Sequence, residues 1–229
     1  LTPKPIEMDS NLIQIRKASH KSDWEEIRRI CCETGNYGSP IDPVRWPFFA
    51  EHWIGPYQSL LHDWTWVAES KGRVAGYLTG CPNTALFEKK KLVRFNLKTA
   101  LSIALGKYRY NSDVKRFLKR ALHLSQGPEQ CFTRKIKKML IEQFPSHLHI
   151  NLDSSIRGCG AGRALCTHFF KSLKEKQIPG IHVFCGPDPL GFYEQLGFRE
   201  LGQVEFRPGV KVYAMGYSFD VASQGASLK

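Results

Sequence analysis

Residues 154–165 read SSIRGCGAGRAL, with glycines at 158, 160 and 162 between a strand-like run and a helix-like run. A glycine-rich turn that opens a helix sets backbone N–H groups around phosphate oxygens at the positive end of the helix dipole. Downstream, GAGRALCTHFFKSLKEKQ carries Leu165, Phe169 and Leu173 at successive fours, a helical spacing. Upstream, SHLHINLD (146–153) has strand character, with His147, His149, Asn151 and Asp153 on one face and Leu148, Ile150 and Leu152 on the other. Beyond the helix, IHVFCG (181–186) reads as a strand and PLGFYEQLGF (189–198) as a short helix stopped at Gly197. RELGQVEF and VKVYAMGYSF then close the chain as two strands.

Ahead of the turn, NLIQIRKAS (11–19) alternates like a half-buried strand. SDWEEIRRICCETG follows as a helix, with Ser22 as its cap, Glu25 three residues on and Gly35 as its stop. The aromatic-rich stretch 42–63 is broken by Pro47 and Pro56, which predicts short helices joined by turns. WTWVAES and RVAGYLTG flank Lys71-Gly72 as a hairpin with a two-residue turn. Three segments between 92 and 144 carry apolar residues at helical spacing and predict two or three helices inserted between the third and fourth strands. The order predicts an α/β fold: a mixed sheet with helices on both faces, one domain over 11–221 between flexible tails at 1–10 and 222–229.

Residues 83–145 hold 15 Lys and Arg against 4 Asp and Glu, whereas the rest of the chain holds 18 against 17. The formal charge of +12 therefore belongs to one basic segment. The seven cysteines form no CxxC pair, so neither a zinc ribbon nor a disulfide framework is indicated and no metal is expected. Most sit beside apolar residues and read as reduced, buried thiols. With no apolar run long enough to span a bilayer and no signal-like stretch in LTPKPIEMDSN, the expectation is a cytoplasmic protein with no membrane partner.

Which phosphate ligand suits the turn? A dinucleotide fingerprint, GxGxxG, would need a third glycine where Arg163 stands, and an acidic residue at the end of the next strand. A P-loop, GxxxxGK[ST], is absent, and a plain turn eased by glycine stays open. Arg157-x-x-Gly160-x-Gly162, after a strand and before a helix, matches the [QR]-x-x-G-x-[GA] signature of the GNAT acetyltransferase superfamily. FYEQLGF (192–198) is similar to that family's second marker, so the chain resembles the GNAT family over its whole length, most specifically over 146–206. FPSHLHINL, HVFCGPD and FYEQLGF also resemble the acetyltransferase-like domain appended to animal O-GlcNAc hydrolases and its free-standing bacterial relatives. The glycine signature is degraded in the appended domain and intact here.

The resemblance implies two parallel central strands, 146–153 and 181–186, that splay apart to admit acetyl-CoA. Pantetheine would pair with the backbone of Ile150 and Leu152, and the diphosphate would meet Arg157, Gly158, Cys159, Gly160, Ala161, Gly162 and Arg163. The implied activity is N-acetyl transfer by direct attack of an amine on the thioester in a ternary complex. Tyr193 matches the family's general acid. The base candidates are His149, for its pKa near neutrality, and Asp188; Asn151 could orient a water. No cysteine is placed as a covalent relay. The acceptor would be a small-molecule or protein amine, and the oligomeric state stays open between monomer and dimer.

The basic segment is read first as the solvated faces of amphipathic helices, with an anionic acceptor as the sharper hypothesis. Its KKK run (89–91) lacks interleaved aromatics, so nucleic acid is not expected. The alternative from another class is a non-catalytic module that binds CoA or a partner through this segment.

Overall fold

The computed structural model describes residues 13–122 and 127–219. The expected tails at 1–10 and 222–229 lie outside the described residues. Seven strands form one sheet in the order β1-β2-β3-β4-β5-β7-β6. They are β1 (Gln14–Lys17), β2 (Thr65–Ser70), β3 (Arg73–Cys81), β4 (Ser146–Leu152), β5 (Gly180–Cys185), β6 (Arg199–Arg207) and β7 (Val210–Ser218). Every pairing is antiparallel except β4 with β5.

Alternation along the strands divides the core between two faces. Trp66, Ala68 and Leu78 pack with Leu165, Phe169 and Leu173 of α7 (Ala161–Glu175), all three of which are fully buried. Their neighbours Val67 and Tyr77 point the other way, onto Trp24, Ile27 and Ile30 of α1 (Lys21–Thr34) and Ile54 of α2 (Trp46–Leu60). The hairpin between β2 and β3 turns through Lys71 and Gly72 at φ +53° and +72°, the left-handed pair a two-residue turn requires.

Two predicted boundaries change. The cap of α1 is His20, not Ser22, because Asp23 accepts the backbone N–H groups of Ser19 and His20 at 2.9 and 3.1 Å. Asp23 also meets Arg16 in a two-pronged contact, both bonds 2.8 Å. The 42–63 stretch is not a set of short helices. A 3-10 turn at Pro43–Arg45 leads into one helix, α2, which runs through Pro56. Pro47 sits in its first turn, where its missing N–H costs nothing. Pro56 is held by burial, and Gly55 before it lets Phe95 come so close that a Cβ would stand 2.7 Å from the ring.

Over its described residues, 83–122 and 127–145, the basic segment is largely helical, as the spacing predicts; residues 123 and 124, at the end of the second predicted helix, lie outside them. The segment comprises α3 (Thr84–Lys90), a π-helical stretch (Lys91–Asn96), α4 (Leu97–Ala104), α5 (Ser112–Ala121) and α6 (Arg134–Glu142). On a regular α-helix, Phe87 and Phe95 would lie about 80° apart, and the wider π turns bring them to one side. Both reach α2, Phe87 against Tyr57 and Phe95 against Gly55. Phe117 of α5 packs on Phe48 of α2, and Asp113 joins Arg45 at 2.7 Å and also binds Arg116. Burial opposes ionisation of Asp113, but the two guanidiniums prevail and hold its carboxyl below the usual range.

Candidate functional site

β4 and β5 share two residue pairs, Ser146 with Ile181 and His147 with His182, and then part. From Leu148 to Leu152 and from Val183 to Cys185 the two strands run unpaired with each other, although each stays paired along its outer edge. The N–H of Asp153 donates to the Ala75 carbonyl of β3 at 2.7 Å. Strand backbone groups alternate sides, so those of Leu152, Ile150 and Leu148 face the gap. β4 pairs with β3 without a bulge, which keeps the side-chain alternation intact.

The glycine turn lies at the open end of that gap. Asp153 accepts the Ser155 N–H at 2.9 Å and starts a 3-10 turn, Ser154–Ile156, whose Ile156 is buried in the core. The Ser155 N–H and nearby Arg29 and Arg157 hold the Asp153 carboxyl below the usual range. Gly158 and Gly160 take φ of +78° and +82°, a region that disfavours any Cβ, and the space beside each is open to 4 Å. Gly160 caps α7 without a side chain, so the first helical amides of Ala161, Gly162 and Arg163 have no partner within the helix. Gly162 is needed for a different reason: a Cβ there would lie 3.0 Å from the Phe192 ring.

The two arginines brace this turn. Arg157 donates to the Leu152 carbonyl at 3.1 Å and to the Gly38 carbonyl at 3.1 Å, tying the end of β4 to the loop after α1. Arg163 donates to the carbonyl of Gln195, the last residue of α8 (Leu190–Gln195), at 3.2 Å. Cys159 is exposed in the turn, while Cys185 is buried at the end of β5, where burial pushes its thiol up to about 11.

The predicted acid and bases separate across the sheet. Tyr193 of α8 lies in the core on the α7 side, between Phe192 and Phe198. Burial, with Cys166 and Cys185 nearby, pushes its hydroxyl well above the usual range. His149 lies on the α1–α2 side, stacked on Trp53 with centroids 5.7 Å apart and edge-on to Tyr77. Burial lowers its pKa to about 4, and its Nδ1 has no hydrogen-bond partner. His147 has both ring nitrogens engaged, by the hydroxyls of Tyr57 and Thr84, each at 2.7 Å. Asn151 donates its amide to Tyr77 Oη at 2.9 Å, so it is a partner of the core more than a free water ligand. Asp188 is exposed in the loop after β5, and the cap of α8 is Pro189.

The wall around His149 comes from the aromatic 42–63 stretch, which the GNAT resemblance implies can shape an acceptor pocket, although its composition alone would put Trp53 in the core. Trp53, 43% exposed, stands between His149 and His52, whose buried Nδ1 is also unpartnered. Burial, reinforced by Lys91 and Arg120, lowers His52 to about 4. No motif marks these residues; only the register of β4 against α2 assembles them. Among the described residues no group of His, Cys, Asp and Glu is placed to hold a metal ion.

No family model matches the chain. Solved structures do. SsHAT is 24% identical, with 90% of this chain and 98% of that one aligned at a TM-score of 0.68. The yncA protein of Salmonella typhimurium, solved with its cofactor acetyl-CoA, is 15% identical over 92% of this chain and 96% of its own, with a TM-score of 0.53. A GCN5-related N-acetyltransferase from Kribbella flavida is 18% identical over 90% and 97%, at 0.50. With its mixed sheet parting between β4 and β5 ahead of a glycine-capped helix, the chain has the GNAT fold.

Proposed function

We propose that this chain is an acetyl-CoA-dependent N-acetyltransferase that transfers directly to an amine acceptor. The observation that carries the reading is the parting of β4 and β5 after His147 and His182, with the uncapped amides of α7 at the mouth of the gap. A free strand edge suits the amide-bearing pantetheine arm, and uncapped helix amides suit a diphosphate. Ile150 would supply that edge together with the N–H of Leu152, whose carbonyl already accepts from Arg157. Gly158, Cys159, Gly160, Ala161, Gly162 and Arg163 would line the diphosphate with main chain, while the side chains of Arg157 and Arg163 hold that main chain in shape.

Bound acetyl-CoA supplies a thioester carbonyl, and transfer forms a C–N bond to the acceptor as the C–S bond breaks. Tyr193, kept protonated by burial, is the donor to the leaving sulfur. His149, kept neutral by burial with Nδ1 unpartnered, takes the proton from the amine. The two stand on opposite faces of the sheet with the gap between them. Lys91, Arg116 and Arg120 outweigh Asp113 in their charge effect on His52 beside this wall, which fits an anionic acceptor.

Turnover of acetyl-CoA against a panel of amines tests the reading. Tyr193→Phe should lower kcat by about 10²–10⁴-fold and leave acetyl-CoA affinity within a few-fold. Absence of both turnover and acetyl-CoA binding in the wild-type chain would contradict it.

A further inference from the structure

The α3–π–α4 run has two dissimilar faces. Its inner side docks Phe87 and Phe95 on α2 and buries Thr99. Its outer side presents Val93, Leu97, Leu101 and Leu105 at intervals of four, each at least 60% exposed. One position further round runs a second exposed row, Lys90, Arg94 and Lys98, also at intervals of four. Between residues 84 and 110 the one acidic residue is Glu88, which is bonded to Lys91. A continuous apolar row of this kind on a helix is a mark of interaction, unlike scattered exposed leucines.

We propose that this face docks on an anionic lipid surface, the leucine row entering the boundary of the acyl chains and the cation row meeting the headgroups. An amphipathic helix with basic residues beside an apolar row lies in the plane of such an interface. Each Lys or Arg near the surface adds to that attraction. A second copy of the chain fits less well: a two-fold contact would set this basic face on itself, and apart from Glu88, already bonded to Lys91, the face has no acid to answer Lys90, Arg94 and Lys98. Nucleic acid would engage the cations and leave the leucines wet. No helix among the described residues is long and apolar enough to cross a membrane, and a surface contact needs none.

Flotation of the full chain with phosphatidylcholine vesicles, with and without phosphatidylserine, tests this. The chain should float with the serine-lipid vesicles at low salt, stay behind with phosphatidylcholine alone, and release as salt rises. Leu97→Gln/Leu101→Gln should weaken partition by about tenfold or more with an unchanged thermal melt, since both side chains are exposed in the free protein. Lys90→Gln/Arg94→Gln/Lys98→Gln should weaken it through the headgroup term, again with an unchanged melt. Three results would overturn the proposal. One is no flotation with anionic vesicles at low salt. Another is flotation that survives the leucine double variant. The third is a leucine variant that turns a dimer into a monomer in sedimentation velocity, or equal leucine-dependent binding to polyglutamate, because a protein surface would then cover the face.

Discussion

Burial acts on two side chains in opposite senses at this site. It removes the proton from His149 and keeps one on Tyr193, since in each case the neutral form is favoured away from water. That is the distribution a base and an acid need before reaction. If His149 is the base, the wild-type kcat/KM profile should show its acid limb near pH 4, not near the 6.5 of a free imidazole. His149→Gln should lower kcat/KM by about 10²-fold or more and abolish that limb, measured with the same acceptor so that the acceptor's own titration cancels. A limb near 6.5 that persists in the variant would assign the proton to another group. The sequence placed His149 and Asn151 on one face of β4 by simple alternation. It could not show that Tyr77 engages Asn151, or that burial moves His149 far from its solution pKa, because both depend on what packs against the strand.

Elements set by local chemistry were readable in the chain. Lys71-Gly72 dictated the β2–β3 hairpin, and the fours of Leu165, Phe169 and Leu173 gave α7 its buried side. Gly158 and Gly160 marked a turn that bares its backbone before the helix, and the structure adds that both take left-handed conformation. Elements set by tertiary contact were not readable. α2 passes through Pro56 because Gly55 and its neighbours are clamped by the helices of the basic segment. The π stretch at Lys91–Asn96 serves two phenylalanines that must share one partner helix, and no local signal announces it. The divergence of β4 from β5 belongs to the same class. Both strands are apolar enough to pair fully, yet the pairing stops after two residues, and only the resemblance to a known family foretold it.

At the scale of the whole molecule, four histidines among the described residues sit where burial resists protonation: His52, His147, His149 and His182. Their folded pKa values lie below the unfolded value of about 6.5, so above that pH they cost nothing. As pH falls from about 6.5 toward 4 the unfolded chain gains protons that the folded chain refuses, and stability is lost through that window. His52 and His149 alone should withdraw several kcal/mol, at about 1.4 kcal/mol per unit of displacement. Urea midpoints should fall steadily between pH 6.5 and 4, and His52→Phe should flatten part of the slope; a midpoint constant over that range would show the imidazoles are not shielded. The claim on which everything else rests is that the parted strands and the uncapped turn together hold acetyl-CoA. Amide hydrogen exchange, followed with and without acetyl-CoA, addresses it directly. Exchange should slow at Ile150, Leu152 and the amides from Gly158 to Arg163, with little change on β6. Unchanged exchange at those amides under saturating acetyl-CoA, or protection confined to another face, would contradict it.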